Sequence, residues 1–375
     1  MTDIILKVKG KEYGGWTSAT VEKSLYTMTG AFGFSATDIF PGNFRKWGFS
    51  MGDECQVIIN GQVVITGYIE DIPISYDATS HNIQIGGRDK TGDLVDCSFI
   101  KEPAKTASTS FFGATANEWK GQTIETVIKA LCKPYQITVN VDASVSAQAS
   151  YKIANETFKA NEGDTVFDMV SKLCKMKGIL PVSYGDGKLT LTGTGTQKAN
   201  DILELGKNVK EGSFDQSDKD RFRTYVVKGQ GKGKDEKALG DTGQPIGEYL
   251  DALVKRHRPM VLFTETSCDA GYCKDRAKWE SLSKAGNSRK LEYTVQGLTQ
   301  SNGKIWPLNS LVKVKDDFLG IKSKDALLIS AVKYSISNGE GSITRLTVVH
   351  PDAFKLATTP IPISSEVDNL GDIFG

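Results

Sequence analysis

Hydrophobic and polar positions alternate at the start of the chain, where Ile4, Leu6 and Val8 share one side of an extended segment. Period-two alternation is the signature of a half-buried strand. A stronger local signal is Val57-Ile58-Ile59-Asn60-Gly61-Gln62-Val63-Val64-Ile65, two apolar runs around Asn-Gly. Both central residues of a type I′ turn need positive φ, which Asn and Gly tolerate best, so this segment predicts a hairpin. Asn82-Ile83-Gln84-Ile85-Gly86-Gly87 predicts another strand, running directly into Arg88-Asp89-Lys90-Thr91-Gly92-Asp93-Leu94-Val95-Asp96-Cys97.

The period then changes. Lys105 to Ala116 is rich in Ser, Thr and Ala, as a linker or exposed loop would be. Ile124, Val127, Ile128, Leu131 and Cys132 follow helical spacing, with Thr123 as N-cap and Pro134 as terminator. Val166, Phe167, Val170, Leu173 and Cys174 predict a second helix, capped by Asp164 or Thr165 and stopped by Gly178. Tyr184 to Lys188 reads as a turn feeding a strand from Leu189 to Leu191.

Strand texture returns at Tyr225 and Val227, at Leu291, Tyr293 and Val295, at Val312 and Val314, and over 327–336 and 343–349. Two helical pieces are expected within it. One carries Ile246, Tyr249, Leu250, Leu253 and Val254, and the other runs from about Ala270 to Lys284. Between strand and helix, Lys228 to Lys237 is glycine-rich and charged and reads as a surface loop.

The expected fold is mostly β with α+β character. A first β domain covers 1–105 and a small α+β module 106–203. A second β domain covers 204–355, with a helical insertion at about 232–290, and an acidic tail follows at 356–375. The β stretches are candidate small barrels or sandwiches. The tail has Glu366, Asp368 and Asp372 but no base, a net charge of −3. It is not expected to fold alone, but Ile361, Ile363, Val367, Leu370, Ile373 and Phe374 are available to dock on a partner.

Composition narrows the function. With 46 basic and 45 acidic side chains the net charge is +1, which disfavours a generally nucleic-acid-coating protein. No run approaches the roughly 20 apolar residues needed to cross a bilayer, so no membrane anchor is expected. The first ten residues do not resemble a signal peptide. The six cysteines form no CxxC pair, and the three histidines (His81, His257, His350) are scattered. Buried reduced thiols are therefore expected, with no metal site and no cofactor.

Each candidate chemical motif has a plainer reading. Gly229 to Lys234 lacks the Ser or Thr of a phosphate loop, and Asp235 and Glu236 would repel a phosphate. Asp89, Asp93 and Asp96 lack the spacing of a calcium loop, and Asp89 and Asp93 read as turn and cap acceptors. Gly163-Asp164-Thr165 resembles the start of a LysM module, which binds peptidoglycan, and it also reads as an ordinary helix start. No catalytic elbow or zinc-protease motif is present, so no catalytic residue is assigned.

Several segments together resemble the baseplate hub proteins of Mu-like contractile-tailed phages, and the related tail proteins of P2-like phages and R-type pyocins. They are Gly15-Trp16-Thr17-Ser18, Gly61 to Ile69, Gly86 to Cys97, Leu131 to Tyr135, Asp164 to Phe167, Arg258-Pro259-Met260, Trp279-Glu280 and Ile305 to Asn309. The most specific is Arg88-Asp89-Lys90-Thr91, and the family-motif residues around it are Gly86, Arg88, Asp89, Lys90, Thr91, Asp93 and Asp96. The resemblance implies a T4-type hub architecture, with two tube-like antiparallel β-barrel domains per chain separated by the small module. It implies a homotrimeric ring that joins the sixfold tail tube protein above to the threefold central spike protein below. It also implies contacts with other baseplate proteins and passage of phage DNA through a neutral or acidic lumen. The expected role is structural rather than enzymatic, in a virion assembled in host cytoplasm.

Two further readings differ in class. One is a cell-wall-binding or lytic tail component acting through the LysM-like segment, and the other is a relative of type VI secretion spikes. For the hub, strands near 57–65 and 327–336 are expected to lend their edges to a sheet between subunits, since a small sheet leaves unpaired backbone groups at its rim.

Overall fold

Strands that bury alternate residues must share that buried side with neighbours, and here they do so mainly in one large sheet. The computed structural model describes residues 4–37, 48–78, 81–100, 118–153, 157–159, 163–230, 245–267, 270–321 and 326–355. Within them the chain is mostly β with some helices. Fifteen strands join in one sheet. Its path starts at Val209–Gln216, then Arg289–Gln296, Gly341–Val349 and Ala326–Ser337. It continues through Ser18–Ser24, Ala31–Thr37, His81–Asp89, Gln62–Asp71, Glu54–Ile59 and Ile4–Val8 to Lys11–Tyr13.

The two β regions of the sequence therefore meet inside one chain. Ala326–Ser337 pairs antiparallel with Ser18–Ser24, Ala331 opposite Ser24 and Ser337 opposite Ser18. One hydrophobic core crosses the join, with Leu6, Val21, Phe34, Ile65 and Ile85 on one side and Leu291, Tyr293, Leu328, Tyr334 and Leu346 on the other. Each such side chain contributes about 1.5–3 kcal/mol on burial. Among the described residues the path stays open and closes no barrel.

The predicted hairpin forms as drawn. Asn60 (φ 48°) and Gly61 (φ 74°) make the turn, and Ile59 faces Gln62. Among the described residues, most of the strand edges expected to reach a neighbouring subunit are already used within the chain, the outer edge of 62–65 being the exception. Ala326–Ser337 is bonded on one edge by Gly341–Val349 and on the other by Ser310–Lys315 and Ser18–Ser24. Glu54–Ile59 lies between Ile4–Val8 and Gln62–Asp71. Pairing within the chain has satisfied the backbone groups that a partner would otherwise meet.

The helices Ile124–Cys132 and Val166–Lys177 pack in a second core with Leu94, Phe99, Trp119, Leu189 and Leu191. Thr123 accepts from Thr126 N at 3.1 Å, and Thr165 accepts from Asp168 N at 3.1 Å, as N-caps should. Asp168 completes a capping box, and Gly178 (φ 71°) ends the helix. The first helix passes into a 3-10 turn at Lys133–Tyr135, where Pro134 lacks a donor to continue it.

One expected helix is a strand. Ile246–Leu250 pairs antiparallel with Thr224–Gln230, which pairs parallel with Pro259–Ser267 to make a three-stranded sheet. Apolar residues three and four apart in so short a stretch do not fix a period. Gly247 also lies against the backbone of the Ala270–Asn287 helix, where a Cβ would come within 2.0 Å of Lys274 N. The predicted loop from Lys228 is strand as far as Gln230, and its remainder lies outside the described residues. The Ala270–Asn287 helix forms as expected and covers Tyr225 and Val227 with Cys273 and Ala277.

Candidate functional site

The family-like run Gly86 to Asp96 lies where the large sheet hands the chain to the helical module. Two glycines let the strands close up there. A Cβ on Gly87 would meet Tyr68 O at 2.1 Å, and one on Gly67 would meet Arg88 O at 1.8 Å. Only a residue without a side chain fits either place.

Asp89 and Thr91 are buried just beyond this contact. The Asp89 carboxylate accepts from Thr91 N at 2.9 Å and from Gly30 N at 3.3 Å. The Thr91 hydroxyl lies between that carboxylate and Met28 O, 2.8 Å away. Asp89 is thus the turn acceptor expected of it. Its charge is answered by Lys23, a lysine in the inward phase of Ser18–Ser24, between Val21 and Leu25. Lys23 Nζ donates to Tyr184 O at 2.6 Å. Desolvation lowers the Lys23 ammonium to about 8, while Asp89 and Asp186 pull it back up.

The exposed side of the same run is an ion network. Arg88 holds Glu70 with two bonds of 2.7 and 2.8 Å and also pairs with Asp96. The bond from Arg88 lowers the Asp96 carboxyl below its usual range, and burial raises that of Asp93. Lys90 pairs with Glu54 at 2.8 Å. The helix Gly92–Asp96 then places Leu94 in the module core, and Phe99 N donates to Asp164 O at 2.8 Å.

A second set of side chains fastens the module from its far end. Gly185 fits under the Val64 carbonyl, 1.8 Å from where a Cβ would stand. Asn309, fully buried in the left-handed region (φ 58°), donates to Gly193 O at 2.8 Å and to the Tyr184 hydroxyl at 3.2 Å, and accepts from Gly195 N at 2.9 Å. Asn is among the few residues that adopt this conformation at low cost.

Other matched segments also satisfy backbone. Trp16 donates to Ile4 O at 3.0 Å and stacks on Phe34, and Arg258 donates to Arg221 O at 3.0 Å and Lys219 O at 2.6 Å. The Gly163-Asp164-Thr165 start spends its polar atoms on capping and on an ion pair from Asp164 to Lys172 at 3.0 Å. Among the described residues four thiols are buried, with Cys55 and Cys132 pushed up to about 12 by desolvation. Among the described residues no three His, Cys, Asp or Glu side chains gather as metal ligands, and no helix is long and apolar enough to cross a membrane. Ile361, Ile363, Val367, Leu370 and Phe374 lie outside the described residues.

The arrangement fastens the helical module to the large sheet through buried hydrogen bonds and close backbone contacts. Sequence patterns found Gly86 to Asp96 but missed Lys23 and Tyr184. The available signal was the lysine's place in an otherwise apolar inward phase.

Comparisons with known proteins find relatives along most of the chain. Residues 3–89 match a family described as Mu phage baseplate assembly protein GpP-like, N-terminal. Residues 91–193 match baseplate hub protein gp44-like, second domain, and 269–357 match Mu phage baseplate assembly protein GpP, fourth domain. The chain is 28% identical to baseplate hub protein gp44 of Escherichia phage Mu, over 98% of this chain and 91% of that protein. It is similar to the 43 kDa tail protein of prophage MuSo2 from Shewanella oneidensis, with 30% identity and a TM-score of 0.78, covering 95% of this chain and 100% of that one. The tail protein from Neisseria meningitidis MC58 shares the fold at 22% identity and a TM-score of 0.77, covering 96% and 99%.

Proposed function

The chain belongs to the baseplate hub proteins of Mu-like phages, and on that premise we propose that three copies form the ring joining tail tube to central spike. The observation that carries the reading is a relationship spanning nearly the whole chain, 95% of it and 100% of the Shewanella tail protein. Each chain contributes two tube-like β units, the halves of the large sheet on either side of the Ser18–Ser24 join, so that three chains present six. A sixfold tube above then meets a threefold spike below, other baseplate proteins pack outside, and DNA passes through a lumen lined by neutral or acidic positions.

In this reading the units are 1–105, 106–203 and 204–355, followed by the segment 356–375. Gly86, Arg88, Asp89, Lys90, Thr91, Asp93 and Asp96 position the module against the sheet, and the role is structural, without catalysis. The protein is part of the virion and assembles in host cytoplasm. Ring closure draws on the outer strands Val209–Gln216 and Lys11–Tyr13, which end the path of the sheet. Among the described residues the outer edges of these two strands have no strand partner, so their backbone groups are available to a neighbour. The LysM-like start is accounted for by capping, so no observation favours the cell-wall reading.

Light scattering on purified protein tests the ring, with three chain masses expected at high concentration. A monomer that stays monomeric when tube and spike proteins are added would overturn it.

A further inference from the structure

The three-stranded sheet is covered on one face and bare on the other. Its register sets Leu250, Thr224 and Pro259 in one row, Glu248, Val226 and Val261 in the next, and Ile246, Lys228 and Phe263 in the third. The Ala270–Asn287 helix covers the opposite face, through Tyr225 and Val227. On the bare face Ile246 is 46% exposed, Leu250 53%, Val261 50% and Phe263 69%. Beyond Leu250 stand exposed Leu253 and a basic rim of Lys255, Arg256 and His257. Pro259–Ser267 also has an outer edge with no strand partner among the described residues. An apolar face beside an open strand edge is an association site unless something covers it.

The chain itself contains one segment with the right chemistry. Residues 38–47 carry Asp38 against Arg45 and Lys46, and 101–117 carry Glu102 against Lys101 and Lys105, so each is basic like the rim. Residues 231–244 balance three lysines against three acids and hold Leu239 as their one large apolar side chain. Residues 356–375 carry three acids, no base, and Ile361, Ile363, Val367, Leu370, Ile373 and Phe374.

The place where that segment leaves the structure is also favourable. Ala353 O accepts from Ser283 Oγ at 2.9 Å and from Asn287 Nδ2 at 3.3 Å, so the chain departs beside the helix that backs this sheet. Arg289, just past that helix, is close enough to Arg221 for their like charges to repel, and Arg221 pairs at 2.7 Å with Asp251, the neighbour of Leu250. Twenty residues at about 3.3 Å each reach some 65 Å, ample to round the sheet.

We propose that residues 356–375 dock on the bare face of the three-stranded sheet of their own chain. The apolar side chains cover Ile246, Leu250, Val261 and Phe263, and Glu366, Asp368 and Asp372 meet the Lys255–His257 rim. Tethering gives the segment an effective concentration in the millimolar range, far above that of other copies. The cover keeps the open edge of Pro259–Ser267 from pairing with another chain. This inference does not depend on the hub reading.

A benzophenone-bearing phenylalanine analogue in place of Phe263, in the full chain, tests it. Light and heavy isotope-labelled chains are unfolded together and refolded as a mixture before irradiation, so that any oligomer contains both labels, and the cross-linked peptides are read by mass spectrometry. The expected product joins the probe to 356–375 with both peptides carrying one label. Its yield should fall about fivefold with Lys255→Glu and Arg256→Glu together, and return when Glu366→Lys and Asp368→Lys are added. Mixed-label products, products elsewhere on another copy, or none with 356–375 would overturn it. If the Phe263 analogue does not fold, the same probe at Val261 gives the same choice of outcomes.

Discussion

The large sheet and the three-stranded sheet are made of the same kind of strand and put to opposite use. In the large sheet the inward residues of Ile4–Val8 and Ser18–Ser24 are buried, and the interior strands are bonded along both edges. Even its one inward lysine is provided with Tyr184 O and the charge of Asp89. In the small sheet one face is packed under a helix while Val261 and Phe263 on the other face solvent. The first arrangement maximises internal stability, and the second leaves apolar area for something to bind. The difference is one of covering rather than composition, since both are rich in Val, Leu, Ile and Phe.

The sharpest way to break the comparison is at the polar centre of the large sheet. Asp89→Ala strips Gly30 N and Thr91 N of their acceptor and removes the larger of the two carboxylate charges that act on Lys23, leaving Asp186. A loss of about 3–5 kcal/mol is expected in urea unfolding. An effect below about 1 kcal/mol would mean that the sheet does not rest on this group.

A pH series examines the same centre from the lysine. The folded Lys23 releases its proton near 8, whereas the unfolded chain holds it to about 10.5. Between those values the unfolded state carries more protons, so this group makes stability rise with pH. Measured against Lys23→Met, the wild-type advantage should grow by about 3 kcal/mol across that window. A flat difference would show that the ammonium is not buried.

Asn309→Ala comes next. It removes two donors and an acceptor from a fully buried site and places alanine at φ 58°. A loss of about 2–3 kcal/mol is expected, with faster hydrogen exchange over 184–195.

The smallest effect belongs to the bare face. With residues 356–375 removed, Phe263→Ser should change unfolding free energy by no more than about 0.5 kcal/mol, because nothing else among the described residues covers a side chain that is 69% exposed. A loss as large as that at Asp89 would show that this face is packed, and the contrast between the sheets would disappear.

Much of this was legible beforehand, for reasons that are local. Asn60-Gly61 forms its turn because positive φ is a property of those two residues. Thr123, Thr165 and Gly178 work as caps because capping needs only the next few backbone groups. Asp89 was read as a turn acceptor because its partner Thr91 is two residues away. What failed was equally physical. Ile246–Leu250 has an apolar spacing that either a helix or a strand can use, and the passing backbone at Lys274 decides between them. The inward phase of Lys23 was visible, but its partners at Tyr184 and Asp89 were not.

The sequence alone determined the Asn60-Gly61 turn, the helix caps and alternating strands such as Ile4–Val8, because alternation, capping and turn geometry act over a few residues. Tertiary structure decided which strand edges are spent. Ser18–Ser24 and Ala326–Ser337 lie some three hundred positions apart and join two β regions into one sheet, and no short-range pattern records that pairing. It is settled when two apolar faces find a common core, and only then does it become clear which edges and faces remain for partners.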